Sequence, residues 1–365
     1  MKIVQIGPYP PPNSGWSVRI KFLKEGFIEK GDDCQVLNLS GNRKVKSPDY
    51  IDVQGGFDYL KKLFSLGLKG YHFHIHTNGQ SEKGPLLHLT ALFISLITLK
   101  RPALTFHGGL TQIHFPRKNA SFLMYFVIYL LFLLSKVVIC NNEEIKDEIG
   151  NYGFCLKKEK IFPVPAFSTQ YLQYKSVDLP DSVSEYIGKK RYLIVCYVVL
   201  RNGFYIENLV EFLETLSGDI GVILSGIRQV EDKEVAVVYE KILEMEKAGK
   251  VLTIPDLNHD EFMTLLEKTH IYLRTPVSDG VASSVLEALS QRVAVVASEN
   301  GRRPPGVFTY QVHSSEEMQE RVSAVLGQIE SIKKSMPKPV IRDTLADEIK
   351  ILEKAFSNGD GKFRG

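Results

Sequence analysis

The order of residues 271–301 as strand, loop, helix and strand restricts the possible folds of this chain more than any other feature. Residues 271–274 predict a short strand, and the turn-forming residues after them predict a loop. Ser283 or Ser284 is the predicted N-cap of the helix, and the β-branched run at 293–297 is typical of a buried parallel strand. Such a unit belongs in a doubly wound α/β sheet and leaves amides at a helix N-terminus, where a phosphate binds well.

Two acidic residues flank the predicted helix N-terminus. Asp279 lies in the loop, and Glu287 lies in the helix eight residues later. A carboxylate only accepts hydrogen bonds, so this pair suits the paired hydroxyl groups of a ribose or of another sugar ring. The same spacing also fits an ordinary α/β segment with two solvated acids, and the spacing alone leaves both interpretations open.

The segment resembles the signature of glycosyltransferase family 4, a family of retaining enzymes with the GT-B fold that transfer a sugar from a nucleotide-sugar donor. That signature has a Glu followed by Gly and, after seven intervening residues, a second Glu followed by Ala. This chain has Asp279-Gly280 and Glu287-Ala288 in those places, so its first acid is shorter by one methylene. The resemblance implies that Asp279 binds hydroxyl groups of the donor sugar and that Glu287 binds those of the ribose, both as catalytic residues.

The resemblance also implies a binding site for the donor diphosphate. Amides around Gly280, Ser283 and Ser284 would contact the phosphates. Arg201 lies near the position where family members carry a Gly-Arg pair, and it would supply positive charge.

A departure from the family pattern follows directly after Arg201. Phe204 and Tyr205 stand where family members have Lys-Gly, so a second positive charge must come from elsewhere. Residues 202–203 with the helix after them could contribute to the site, as could Arg302 or Arg303, and the sequence leaves this choice open.

The N-terminal half adds two candidate residues. Gly15 lies in a proline-rich loop after the first predicted strand, where family members carry glycines beside the donor phosphate and the acceptor. Phe106-His107-Gly108-Gly109 resembles the family's His-Gly loop, which implies that His107 meets the donor sugar as a third catalytic residue. The alternative for His107 is a histidine that only ends a strand.

Length and element order predict two domains. A chain of 365 residues is long for one domain, and strands alternate with helices throughout it. With the resemblance, the expected fold class is α/β of the GT-B type: two Rossmann-like domains that face each other across a cleft, with a C-terminal helix that crosses back to the first. The expected domains are residues 1–167, with about 345–365, on the acceptor side, and residues 168–344 on the donor side. Nicotinamide and Walker-type phosphate loops are missing from the sequence, which disfavours redox and phosphoryl-transfer functions.

Two unusually apolar stretches, residues 86–99 and 122–134, lie in the basic half of the chain. Residues 1–170 carry 21 Lys and Arg against 13 Asp and Glu, whereas the remainder carries 24 against 29. A helix of thirteen residues spans only about 20 Å, less than the ~30 Å hydrocarbon core of a bilayer. The two stretches therefore predict peripheral contact with an anionic membrane, and the alternative is two fully buried helices.

Histidines and cysteines are predicted to pack rather than to bind a metal. His72, His74 and His76 alternate along one strand and point to one face, but acidic or cysteine partners at ligand spacing do not follow them. The four cysteines are scattered, and the chain opens directly into a strand. These features predict a cytoplasmic protein with reduced thiols, placed by the expected lipid contact at the inner face of the cell membrane.

The function expected from the resemblance is a metal-independent retaining glycosyltransferase of cell-envelope or exopolysaccharide biosynthesis. It would need no cofactor beyond its nucleotide-sugar co-substrate, for which a UDP-sugar is the expected form. A glycan or a polyprenyl-linked molecule would be the acceptor, and nucleic acid is not an expected partner. The alternatives are another GT-B enzyme, such as a nucleotide-sugar epimerase, and a non-catalytic protein that binds nucleotide sugars.

Overall fold

The chain folds into two compact units, each built around one parallel sheet. A computed structural model describes residues 1–11, 14–110, 112–200, 203–227, 233–277 and 282–357. One unit comprises Met1–Gln170 and Arg342–Gly365, and the other comprises Tyr171–Ile341. Within the described ranges each sheet has six strands, and all of their pairings are parallel. The predicted α/β class is confirmed.

The first unit has its strands in the order β2-β1-β3-β4-β5-β6. Its strands are β1 (Lys2–Gly7), β2 (Asp33–Asn38), β3 (His72–Thr77), β4 (Ala103–Phe106), β5 (Val137–Cys140) and β6 (Ile161–Pro163). Its helices are α1 (Gly15–Glu29), α2 (Gly56–Leu68), α3 (Lys83–Ile97), α4 (Phe122–Leu134) and α5 (Glu143–Gly150), with α13 (Thr344–Ser357) added from the end of the chain. The order reverses between β1 and β3, so the chain leaves these neighbouring strands in opposite directions.

The second unit has its strands in the order β12-β11-β10-β7-β8-β9. Its strands are β7 (Tyr192–Tyr197), β8 (Ile220–Ser225), β9 (Val251–Ile254), β10 (Ile271–Arg274), β11 (Ala294–Ser298) and β12 (Val307–Tyr310). Its helices are α6 (Asp181–Gly188), α7 (Ile206–Glu214), α8 (Lys233–Lys247), α9 (His259–Glu267), α10 (Ser283–Ser290), α11 (Ser315–Gly327) and α12 (Ile329–Ser335). Here the reversal lies between β7 and β10.

Buried apolar runs explain why the central strands form. The strands β4, β5, β10 and β11 are buried along their whole length, as expected for strands covered by helices on both faces. Their side chains form one continuous core in the second unit and neighbouring clusters in the first. The sheets are therefore rigid supports for the loops that leave their carboxyl ends.

The last helix, α13, packs on the first sheet, as predicted. Its residues Leu345, Ile349 and Leu352 join a cluster with Leu23 and Val137. A buried ion pair also joins α13 to α1.

In that pair, Arg19 Nη2 lies 2.6 Å from Glu348 Oε2, and the two side chains are 2% and 1% exposed. Arg19 also donates to the carbonyl of Ala166 at 2.9 Å and to Thr344 Oγ1 at 3.0 Å. Removing one partner of such a pair would leave a buried charge uncompensated, which makes the docking of α13 specific.

The end of the second unit differs from the sequence pattern. The spacing of Met318, Val322, Val325 and Ile329 predicts one long helix over residues 314–334, but α11 and α12 are separate and meet at Gln328, whose backbone is not helical (φ −125°, ψ 17°). Gly327 just before it weakens the helix at this point. The edge strands β6 and β12 have three and four residues, which are runs too short to show a period in the sequence.

Candidate functional site

The carboxyl edge between β7 and β10 forms the first part of the candidate site. These two strands are adjacent, yet the chain continues from them to opposite sides of the sheet. Ligands of open α/β sheets bind at this kind of reversal, beyond the carboxyl ends of the strands. The helices α7 and α10 begin just after β7 and β10, so the N-termini of both belong to this edge.

The N-terminus of α10 differs from its prediction. Its N-cap is Ala282, which offers no side-chain oxygen, so the prediction of Ser283 or Ser284 as N-cap is wrong. Ser283 is already helical, and Ser284 Oγ lies 2.8 Å from the hydroxyl of Tyr272 on β10. This tertiary hydrogen bond outweighs the local capping preference of serine. Among the described residues no side chain caps α10, so its first amides can meet an external anion.

Glu287 lies in α10 with its carboxyl group buried. It is 6% exposed, and burial raises its pKa from 4.5 to about 8. His259 Nδ1 lies 3.9 Å from Glu287 Oε1. In the described part of the chain no donor hydrogen-bonds this carboxyl group. A buried acid with a strongly raised pKa is a recognised sign of a functional site, and ligand hydroxyl groups are suitable donors to it.

The region after β7 contains the unexpected Phe204 and Tyr205. Phe204 is buried, and Tyr205 has a left-handed backbone (φ 52°, ψ 51°), which glycine adopts without strain. The backbone at Tyr205 therefore has the conformation that suits the glycine of the expected Lys-Gly pair. Phe204, in the place of the lysine, carries no positive charge.

Arg274, at the end of β10, brings a positive charge to the same place. Its guanidinium lies 5.6 Å from the ring centre of Phe204 and 6.0 Å from that of Tyr197. Sequence reasoning did not single out Arg274. The sequence feature that could have indicated Arg274 is its position as a charged residue at the end of an otherwise apolar strand.

Arg303, one of the candidate phosphate ligands, makes hydrogen bonds to backbone carbonyls near the ends of two strands. Its Nη2 donates to the carbonyl of Pro276 at 2.6 Å, and its Nε donates to the carbonyl of Ser298 at 2.9 Å. It thus ties the segment after β10 to the end of β11. Arg302 is exposed. Three predicted site residues, Arg201, Asp279 and Gly280, lie outside the described residues.

A second candidate region lies at the reversal between β1 and β3. Gly7 ends β1, and a Cβ there would lie 2.7 Å from Ile20 Cδ1 and 3.0 Å from His76 Cβ, so packing requires this glycine. Gly15 is the first residue of α1, which Ser14 caps. A Cβ at Gly15 would meet no described atom within 4 Å, so the space beside its backbone is open.

His107 follows β4 and is held by the neighbouring strand. Its amide donates to the carbonyl of Thr77 at 2.8 Å, and its Nε2 lies 2.9 Å from His76 Nδ1. Its ring meets that of Trp16 edge to face at 5.5 Å between centres. Burial lowers the pKa of His107 to about 3 and that of His76 well below its usual value, so both are neutral at physiological pH.

The other histidines of β3 are packing residues. His72 stacks on Phe356 with 4.6 Å between ring centres, and His74 is fully buried among hydrogen-bond partners. Within the described ranges, groups of three or more His, Cys, Asp or Glu suited to a metal ion are absent.

Comparison with known proteins identifies the architecture. A scan against models of protein families finds no match, and a search of curated proteins finds none. Solved structures do match. Anabaena HepE in complex with UDP-glucose has a TM-score of 0.70 at 13% identity, over 98% of this chain and 100% of that chain. Sucrose-phosphate synthase from Thermosynechococcus elongatus has a TM-score of 0.69 at 12% identity, over the same shares.

A third match is UDP-GlcNAc 2-epimerase from Methanocaldococcus jannaschii, with a TM-score of 0.61 at 13% identity, over 97% of this chain and 100% of that chain. The chain has the GT-B fold. The predicted fold class is thereby confirmed, and the activities of these proteins differ among themselves.

The raised pKa of Glu287 predicts how stability depends on pH. Between the unfolded pKa of 4.5 and the folded pKa of about 8, the folded protein holds a proton that the unfolded chain releases, so stability falls as pH rises. Glu287→Gln does not titrate. Its unfolding free energy relative to wild type should therefore rise by about 1.4 kcal/mol per pH unit within this window and level off above pH 8.

Urea denaturation followed by circular dichroism at pH 5 to 9 measures this pH dependence, with exposed Glu320→Gln as control. A difference that does not change with pH would contradict the burial argument.

Proposed function

We propose that this protein is a retaining glycosyltransferase of the family 4 type, which transfers a sugar from a UDP-sugar to a glycan or lipid-linked acceptor in cell-envelope or exopolysaccharide biosynthesis. The observation that carries the proposal is the buried carboxyl group of Glu287, one turn inside a helix at the β7/β10 reversal whose N-terminus no side chain of the described residues caps. Hydroxyl donors and a phosphate are the groups that this pair of features suits best. The HepE structures support this proposal, since HepE has a similar fold and its structures are complexes with UDP and with UDP-glucose.

Positive charge for the donor diphosphate comes, in this proposal, from the α10 amides at Ser283 and Ser284 and from Arg274, together with Arg201. In the reaction, the acceptor oxygen replaces the diphosphate at the anomeric carbon, and the acceptor proton leaves with the nucleoside diphosphate. Negative charge grows on the departing phosphate, and fixed amides and guanidinium groups stabilise it without reorganisation. We propose that no metal ion or further cofactor takes part.

Roles for the remaining site residues follow. Glu287 binds the ribose hydroxyls, Asp279 with Gly280 binds the sugar, and Gly15 lets a ligand approach the backbone. His107 contacts a sugar hydroxyl. We place this activity in the cytoplasm, at the inner face of the membrane.

An epimerase is the second candidate, favoured by the similarity to UDP-GlcNAc 2-epimerase. The two activities differ in their need for an acceptor. A transferase releases UDP only when an acceptor is present, whereas an epimerase changes the sugar of UDP-GlcNAc without one.

UDP release in the presence and absence of extracted lipid-linked acceptors therefore tests the proposal. We expect acceptor-dependent release, and Glu287→Ala should lower it at least about 100-fold, because the loss of a buried contact to the donor affects both binding and positioning. Exposed Glu320→Ala should retain wild-type release. Near-wild-type turnover by Glu287→Ala would refute the assigned site, and epimer formation without acceptor would favour the second candidate.

Peripheral membrane contact is part of the proposal and rests on the surface of α2, α3 and α4. These helices pack side by side on one face of the first sheet. Neither predicted apolar helix is fully buried, since Phe122 is 80% exposed and Ile97 is 65% exposed. The helix α2, which the sequence analysis did not assign to this surface, adds Phe57 and Leu68, both at least 80% exposed. Among the described residues, the helices are too short or too polar to cross a bilayer.

Basic side chains border this surface, although two of them also have internal partners. Arg101 donates to the carbonyls of Leu134 and Ser135 at 3.1 Å, which caps the end of α4. Arg117 lies 4.8 Å from the ring centre of Tyr125, and Lys118 beside it is exposed. We propose that the apolar side chains enter the headgroup region while these cations face anionic lipid.

Sedimentation with liposomes at low salt tests the contact. The protein should sediment with anionic vesicles and less with zwitterionic ones, and Phe122→Glu should reduce sedimentation several-fold. Val340→Glu is the matched control, because Val340 is 93% exposed in the other unit. Equal sedimentation of both variants, or none of the wild type, would refute the proposed surface.

A further inference from the structure

A continuous chain of hydrogen-bonding groups runs from the buried ion pair to His107 inside the first unit. In order, its members are Arg19, Glu348, Thr105, His74, Gln5, His76 and His107. All of them except His107 are buried. Apart from the last link, to His107, each link joins two buried polar groups, so each proton must have a definite place.

The ion pair at Glu348 determines which group donates and which accepts in each hydrogen bond of this series. Arg19 Nε and Nη2 lie 2.7 and 2.6 Å from Glu348 Oε2, so this carboxylate is the anionic partner of a buried ion pair. A carboxylate only accepts, so Thr105 Oγ1 donates its single proton to Glu348 Oε1 at 2.9 Å. Thr105 Oγ1 must then accept from its other partner, His74 Nε2 at 2.7 Å. His74 therefore carries a proton on Nε2.

His74 is neutral. Arg19 and Glu348 already balance each other, so a second proton on His74 would leave an uncompensated cation in the core. Burial and the Arg19 charge accordingly lower the pKa of His74 to about 3. Its Nδ1 therefore has no proton and needs a donor.

The group that faces His74 Nδ1 is the side-chain amide of Gln5. The atom placed there as Oε1 lies 2.6 Å from His74 Nδ1 and 2.8 Å from His76 Nε2. Oxygen cannot donate to an unprotonated nitrogen. The oxygen and nitrogen of a glutamine amide are exchanged by a half-turn, and the hydrogen-bond network decides between them. The exchanged amide would give one proton to each histidine, and its oxygen would face Cys34 Sγ, now 3.7 Å from Nε2.

We infer that Gln5 presents its amide nitrogen to both histidines, so that His76 donates from Nδ1 to Nε2 of His107 and His107 carries its own proton on Nδ1. Glu348, Thr105 and Gln5 are positioning residues that fix this tautomer from a distance. His107 Nδ1 has no hydrogen-bond partner among the described residues. It offers a donor, and the ligand group that it takes must be an acceptor, such as a hydroxyl or phosphate oxygen.

The opposite arrangement is distinct and measurable. If Gln5 presents its oxygen, His74 and His76 both donate to it, His76 Nδ1 accepts from His107, and His107 carries its proton on Nε2. Only the identity of the ligand rests on the proposed function; the tautomer is a property of the protein alone.

Long-range ¹H–¹⁵N correlation on the ¹⁵N-histidine-labelled, ligand-free chain decides between the two arrangements, with His107→Gln to assign the signal. We expect His107 and His76 to be protonated on Nδ1 and His74 on Nε2. A His107 proton on Nε2, or a rapid mixture of both tautomers, would overturn the inference. Loss of transferase activity would not affect this result, so the two proposals fail separately.

A pair of variants tests the relay itself. Thr105→Val removes the oxygen between Glu348 and His74, and the His107 signals should move away from the fixed Nδ1-protonated form. Thr105→Ser keeps the hydroxyl group and should give the wild-type spectrum. An unchanged His107 in Thr105→Val would contradict the relay, and if that variant does not fold, the wild-type spectrum still decides the tautomer.

Discussion

All strand pairs in both sheets are parallel, and this constraint determines where the candidate residues can lie. A parallel strand must be followed by a crossover, so the segments that follow the strands collect at one edge of each sheet. Where the strand order reverses, neighbouring segments diverge and leave space for a ligand. Gly15 follows β1, His107 follows the strand next to β3, and Glu287 follows β10. The described site residues therefore belong to these two reversals because of topology.

The buried acidic side chains of the two units, Glu348 and Glu287, have different surroundings. In the first, Arg19 and Glu348 compensate each other, so the pair can anchor α13 and set the direction of a hydrogen-bond chain. In the second, Glu287 is buried, the part of the chain that the structure describes places no Lys or Arg in an ion pair with it, and burial raises its pKa. Keeping such an acid buried destabilises the folded state at neutral pH, and acids of this kind are candidates for functional residues.

Local pattern was enough to predict most elements. The strand β10 and the helix α4 have the predicted bounds, because each is a dense apolar run with clear ends. Capping at α10 was mispredicted, since a hydrogen bond from Tyr272 decides the position of Ser284. The family resemblance predicted Glu287 and His107 as site residues. It did not predict the burial and the hydrogen-bond partners that determine their pKa values and proton positions. Thr105 and Glu348 lie 243 residues apart, and Arg274 at the end of β10 contacts Phe204, which lies between β7 and α7. Such contacts depend on the fold and leave no local signal.

We propose that a nucleoside diphosphate binds at the β7/β10 edge, on α10 and beside Glu287. Hydrogen exchange of the protein with and without saturating UDP tests this binding. We expect protection of the amides of residues 282–287 and of the segment that begins α7, and we expect Glu287→Ala to abolish both. UDP binding that leaves these amides unprotected, or protection confined to the first unit, would contradict it.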